Sequence, residues 1–210
     1  VGFDAFISMK FAQAGKRGIA TYIENTLREG LRYEPETYEI ENEDGSMKYE
    51  AFLITCANAS QYGNNFYIAP KASLCDGLMD VIIMEPFTML DAPAISFQMI
   101  NGTLDQNSKI KTIRCKRLKI HRNNPGVIHF DGDPMMADAD LTVEIIEKGL
   151  RVIIGSQEEK STTNVNMWQN VIDIFNDLKP SIMDDLAAHN RRLQTLNKEL
   201  LRKLKKNNYK

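Results

Sequence analysis

The sequence predicts a mainly β protein: an antiparallel β-sandwich with two or three inserted or flanking helices, followed by a C-terminal amphipathic helical extension. Three observations lead there. Apolar and polar residues alternate over many short stretches, turn-forming residues separate those stretches, and the regular strand–helix alternation of a parallel sheet is missing. The 210 residues, 43% hydrophobic and 26% charged, have the composition of an ordinary globular chain, which argues against wholesale disorder and fibrous repeats. The richest apolar segments, residues 51–59 and 81–84, are strand-length and far short of the roughly 18 residues a spanning helix needs. Cys56, Cys75 and Cys115 are odd in number and widely spaced, so they form neither a disulfide framework nor a zinc pair. They suit a reducing, cytoplasmic setting.

Along the chain, Ile19, Ile23, Leu27 and Leu31 form a four-residue stripe ending near Gly30 and predict the first helix. Tyr38 and Ile40 alternate with glutamates, the pair Asp44-Gly45 makes a turn, and residues 47–56 return as the second arm of a hairpin. Residues 78–84 predict a strand, and 91–104 a helix that tolerates Pro93 in its first turn. From Lys109 the pattern is strongly β. Ile113 and Cys115 alternate in one phase and Leu118 and Ile120 in the other, which a bulge near Lys116-Arg117 would reconcile. Strands follow at 127–130 and 141–145, and Glu147-Lys148-Gly149 turns the chain into a last strand through Leu150, Val152 and Ile154.

Composition shifts near Gly155, so the sandwich is expected over residues 1–154 and a polar linker with a helical extension over 155–210. Trp168, Ile172, Phe175, Ile182, Leu186, Leu193, Leu196 and Leu200 recur at three- and four-residue spacings, interrupted at Pro180-Ser181. Two amphipathic helices are expected, packing on themselves, on the sandwich or on a second copy of the chain. Residues 189–210 carry eight Lys/Arg against one Glu, a charge that anionic lipid would attract. No aromatic stacking groups or readout motif accompany that charge, so nucleic acid is not an expected partner.

Two polar segments could carry chemistry. The first runs from Ala57-Asn58-Ala59 through Tyr62-Gly63 to Ala69-Pro70-Lys71-Ala72-Ser73-Leu74-Cys75-Asp76-Gly77-Leu78-Met79-Asp80-Val81. An Asp-Gly pair alone is what any turn carries, but a carboxylate with loop carbonyls is also what Mg²⁺ or Ca²⁺ takes as ligands. The second is Phe130-Asp131-Gly132-Asp133, with Asp138 and Asp140 close behind. Four carboxylates in ten residues repel one another unless they are solvated or neutralised. An acidic hairpin loop is the plain alternative, and an EF-hand is excluded by the missing sixth-position glycine and closing glutamate.

In order, Gly-Phe-Asp-Ala at the start, Ala-Asn-Ala and Tyr-Gly, Ala-Pro-x-Ala-x-Leu-x-Asp-Gly-Leu-x-Asp-Val, and then Asp-Gly-Asp about fifty residues on resemble the diacylglycerol kinase catalytic family. Bacterial lipid kinases, sphingosine kinases and ceramide kinases belong to it. The resemblance covers residues 1 to about 154. It implies the C-terminal β-sandwich of a two-domain lipid kinase. The N-terminal domain, with its Gly-Gly-Asp-Gly-Thr nucleotide loop, would bind most of the ATP and is not matched in this chain. A start at Val1 without an initiator Met is in keeping with a piece of something longer.

Asp76 then corresponds to the family's structural Mg²⁺ ligand, joined by the main-chain carbonyls of Ser73 and Leu78. Asp133 corresponds to the last residue of Asp-Gly-Glu, the proposed proton acceptor, here one methylene shorter. Asp4 and Asn58 would line the cleft between domains. The implied activity is phosphoryl transfer from Mg·ATP to a lipid hydroxyl, of diacylglycerol or a sphingoid type, by an enzyme at the cytoplasmic membrane face. The fragment alone is expected to be inactive. The competing readings are an NAD-kinase-like enzyme and a non-catalytic module that self-associates through its C-terminal helices.

Overall fold

The computed structural model describes residues 1–14, 29–30, 33–63, 65–88 and 90–153. The helix expected over 19–31 falls almost wholly outside them, as does everything expected beyond residue 153. Within the described residues the architecture is the expected antiparallel one. The elements are α1 (Phe3–Ala14), β1 (Glu36–Asn42), β2 (Gly45–Ala51), β3 (Leu53–Ala57), β4 (Gln61–Gly63), β5 (Phe66–Tyr67), β6 (Met79–Met84), α2 (Ala92–Asn101), a 3₁₀ turn (Leu104–Gln106), β7 (Ile110–Cys115), β8 (Arg117–Arg122), β9 (Gly126–Phe130), β10 (Asp133–Ala137) and β11 (Asp140–Glu144).

A four-stranded sheet in the order β11-β8-β1-β2 faces a three-stranded sheet, β3-β6-β7. Tyr38, Ile40, Ile54, Val81, Ile83, Leu118 and Ile120 fill the space between them. On the far side of the three-stranded sheet, Phe3 and Ile7 of α1 and Ile95 of α2 pack with Leu53, Ile82 and Met84. Strand β6 lies in the middle and is buried at all six positions. Val81 and Ile83 point into one core, Ile82 and Met84 into the other, as the two-residue period of a strand requires. An unbroken apolar run such as 81–84 is therefore the signature of a strand covered on both faces.

Several expectations change here. The phase flip at Lys116 is a change of sheet rather than a bulge, because β7 pairs with β6 while β8 pairs with β1 and β11. Residues on opposite phases thereby reach the same core from its two sides: Ile113 and Cys115 from one, Leu118 and Ile120 from the other. Phe52 marks a second such switch, so residues 47–56 form two strands in two sheets and not one hairpin arm. The first hairpin turns at residues 43–44, since Asn42 pairs with Gly45; the Asn42 side-chain oxygen accepts the Asp44 amide at 3.0 Å. Helix α2 starts with proline in its first turn and is ended by Gly102, short of the expected residue 104. Leu150, Val152 and Ile153 are exposed, and residues 150–153 form no strand, because no described strand offers them a ladder.

Besides the short β4–β5 hairpin, two larger elements have no counterpart in the sequence reading. One is α1, whose amino end is stitched to β3: the Phe3 amide donates to the Phe52 carbonyl at 2.9 Å, and Ile54 to Val1 at 3.0 Å. The other is β10, which pairs with β9 as a separate two-stranded ribbon. This ribbon contacts α1 through both its strands.

Candidate active site

The β9–β10 ribbon is a two-residue hairpin. Phe130 pairs with Asp133, and Asp131 and Gly132 between them have φ of 48° and 96°. Positive φ at both central residues is the type I′ turn, which matches strand twist and favours Asp-Gly. The segment read as an acidic loop is thus a tight turn presenting an exposed Asp133 as the first residue of the returning strand. Phe130, Ile128, Asp133 and Met135 share one face of the ribbon by register. Phe130 and Met135 on that face are 62% and 47% exposed, so the carboxylate stands beside open apolar surface.

Arg122 secures the base of this ribbon. Its side chain is 3% exposed, and its guanidinium donates to the carbonyls of Gly126 (2.8 Å), Ala137 (3.0 Å), Asp138 (3.1 Å) and Val127 (3.2 Å). These oxygens lie at the ends of β9 and β10 where the ribbon leaves the sheet, and without the arginine they would be poorly satisfied.

The other face of the ribbon meets Asp4 at the start of α1. The Asp4 carboxylate accepts from the Ala5 amide at 2.8 Å, Tyr62 at 3.1 Å and Thr55 at 3.2 Å, and lies 3.2 Å from His129 Nε2. The Thr55 and Tyr62 hydroxyls are also bonded to each other. Burial pushes the Asp4 carboxyl up, but the Val1 ammonium group and the His129 hydrogen bond outweigh it and hold it below its ordinary value. Sequence reasoning placed Asp4 near a site. Tyr62 lies in the first polar segment read from the sequence, whereas His129 and Thr55, 51 or more residues from Asp4 in the chain, have no part in that reading. Asn58 is exposed just past the end of β3.

The Asp76 segment is a different kind of turn. Asp76 Oδ1 accepts the Leu78 amide at 3.0 Å, and its other oxygen is paired with Arg114. The guanidinium also reaches Asp80, 3.3 Å away on β6. Ser73 and Leu78 flank the turn, half-buried. For a hard cation the donor set is serviceable, because two carboxylates face one arginine. The buried Asp80 Oδ2 also has no hydrogen-bond partner among the described residues. No group of three or more His, Cys, Asp or Glu able to hold a metal occurs among the described residues, so the carboxylates here would need main-chain carbonyls to complete a ligand set. Cys56 is no candidate nucleophile, since burial pushes its thiol up to about 11.

The described residues define a β-sandwich domain: two antiparallel sheets, with an acidic hairpin carried outside them. The model of the YegS C-terminal NAD kinase beta sandwich-like domain matches residues 1–154. The chain belongs to that family. Among solved structures, a candidate diacylglycerol kinase from Bacillus anthracis str. Sterne is 18% identical with a TM-score of 0.48, over 62% of this chain and 42% of that one. A diacylglycerol kinase from the same organism is 15% identical with a TM-score of 0.47, over 60% and 43%. This chain therefore spans less than half the length of either. A comparison with curated proteins finds no match. No described helix is long and apolar enough to cross a membrane.

Proposed function

We propose that this chain is the acceptor-binding part of an ATP-dependent lipid kinase, in which Asp133 takes the proton of a lipid hydroxyl. The observation that supports this most is the company Asp133 keeps: an exposed carboxylate at the head of a turn, on the same ribbon face as the exposed Phe130 and Met135. A carboxylate serves an alcohol of any kind, whereas flanking apolar surface suits an alcohol with a hydrocarbon tail. Diacylglycerol and sphingoid-type alcohols both fit that description.

In the reaction the hydroxyl oxygen attacks the γ-phosphorus of ATP. The new O–P bond forms as the bond to the β-phosphate oxygen breaks, ADP leaves, and the hydroxyl proton passes to Asp133. Such transfer depends mostly on positioning and charge neutralisation, to which a base adds on the order of 10²–10⁴-fold. The nucleotide would be held chiefly by an N-terminal domain of the same enzyme. Asp76, with the carbonyls of Ser73 and Leu78, would hold a Mg²⁺ ion that neutralises the acidic turn and fixes its shape. The basic residues of 189–210 would bring the enzyme to an anionic membrane face, and the apolar seam of 168–200 offers a route to self-association.

The family's kinship with NAD kinases favours a second reading, phosphorylation of a dinucleotide, for which exposed Phe130 and Met135 have no evident use. The deciding measurement uses the enzyme in which this chain is joined to its nucleotide-binding domain. With diacylglycerol in mixed micelles and with NAD as alternative acceptors, Asp133→Ala should lower lipid phosphorylation at least about 100-fold with an unchanged melting temperature. Unchanged turnover would remove Asp133 as the base, and phosphorylation of NAD alone would overturn the lipid reading.

A further inference from the structure

The turn that carries Asp133 has little packing of its own. A Cβ placed on Gly132 would meet nothing within 4 Å, and Asp131, Gly132 and Asp133 are all exposed. Among the described residues one side-chain hydrogen bond reaches it: the Gly132 amide donates to His129 Nδ1 at 3.1 Å. The other ring nitrogen, Nε2, is 3.2 Å from the Asp4 carboxylate. An amide can only donate and a carboxylate can only accept, so these two partners dictate the ring's protonation: Nδ1 bare, Nε2 carrying the hydrogen, the imidazole neutral. Asp4 is itself tied to α1 by the Ala5 amide, to β3 by Thr55 and to β4 by Tyr62. A continuous line of hydrogen bonds therefore runs from the body of the sandwich through Asp4 and His129 to the amide next to Asp133.

We propose that His129 is a positioning residue for Asp133, clamping the hairpin turn to Asp4 through its neutral Nε2–H tautomer. The clamp is a statement about the turn; its catalytic consequence rests on the reading of Asp133 as the base. A carboxylate at an unpacked turn sweeps through many positions unless the turn is fixed. Displacement of a reacting group by about 1 Å is enough to cost up to 10²-fold in rate.

The test combines nitrogen-15 NMR of the 210-residue chain with turnover of the enzyme that contains it, in native, His129→Leu, His129→Gln and Asp133→Asn forms. In the native chain, His129 should show one bare and one protonated ring nitrogen, the bare one being Nδ1. His129→Leu should speed exchange of the Gly132 amide about tenfold or more, and lower kcat about tenfold with KM for ATP unchanged. A glutamine can donate through its amide nitrogen and accept through its oxygen, so His129→Gln should restore both most of the way. A proton on Nδ1, or a folded His129→Leu chain with native Gly132 exchange, would overturn the clamp. If His129→Leu fails to fold, the native tautomer and the glutamine variant decide alone. Asp133→Asn should leave the Gly132 and His129 signals as they are. Full turnover in that variant would remove the base reading while the clamp stood or fell on the NMR.

Discussion

Two of the chain's three Asp-Gly pairs, Asp76-Gly77 and Asp131-Gly132, look interchangeable in sequence, and each turn is held by an arginine in a different way. At Asp76-Gly77 the aspartate itself is the gripping point. It caps the Leu78 amide and pairs with Arg114, a side chain 44% exposed at the surface of β7. At Asp131-Gly132 the turn aspartate supplies only backbone conformation. The grip comes from Arg122, buried at the ribbon's base, and from His129 at its tip. The first arrangement engages the carboxylate itself in holding the turn, and the second leaves Asp133 free of side-chain partners among the described hydrogen bonds. A turn can offer an acid for chemistry only when something else holds the turn.

Breaking the two arginine contacts separates these roles most sharply. Arg122→Met would strand four carbonyls that now share a charged donor, and each hydrogen bond to a charged group is worth about 1.5–3 kcal/mol net. A loss of at least about 3 kcal/mol in urea denaturation is expected, because neighbouring oxygens cannot all turn to water. Asp76→Asn breaks only the surface half of the Arg114 pairing and leaves buried Asp80 its charged partner, so it should cost at most about 1 kcal/mol. Equal losses for the two variants would mean that the ribbon is not anchored from its base.

Divalent cation should discriminate the turns by a smaller margin. If Asp76 holds Mg²⁺ with the Ser73 and Leu78 carbonyls, a tenfold excess over Kd stabilises the folded chain by about 1.4 kcal/mol. Asp76→Ala should abolish the rise in melting temperature with Mg²⁺, whereas Asp133→Ala should keep it. A rise that survives in Asp76→Ala would place the cation elsewhere.

How much of this was readable in the sequence depends on whether the signal was local. The strands of the two sheets announced themselves by alternation, and Asp131-Gly132 is a dipeptide whose preferred turn is the one found. The switch at Lys116 was visible as a phase flip but misread, because a bulge and a change of sheet leave the same local trace. Helix α1 gave no stripe to read. Phe3, Ala5, Phe6, Ile7 and Phe11 surround it with apolar residues, the pattern of a helix covered on several sides. Strand β10 was hidden by Pro134, which is tolerated because the ribbon has only two strands. The partnership of Asp4 with His129 had no local signal at all. Sequence order carries no trace of two side chains that meet only when α1 and β9 are brought together by the fold.

That partnership makes the Asp133 turn sensitive to acid through Asp4, the smallest of the expected effects. The Asp76 turn is held by its own carboxylate and Arg114, while the Asp133 turn depends on a remote carboxylate, Asp4. The folded chain holds the Asp4 carboxyl below its ordinary value, since the Val1 ammonium and His129 together outweigh burial. A group whose folded pKa is depressed contributes stability that is fully present above the unfolded value, about pH 4, and is lost as pH falls through the folded value. Stability of the native chain should therefore decline below about pH 4 more steeply than that of Asp4→Asn, when urea midpoints are compared at successive pH values. Parallel acid profiles for native and Asp4→Asn chains would show that Asp4 anchors the hairpin by geometry alone, its charge contributing nothing.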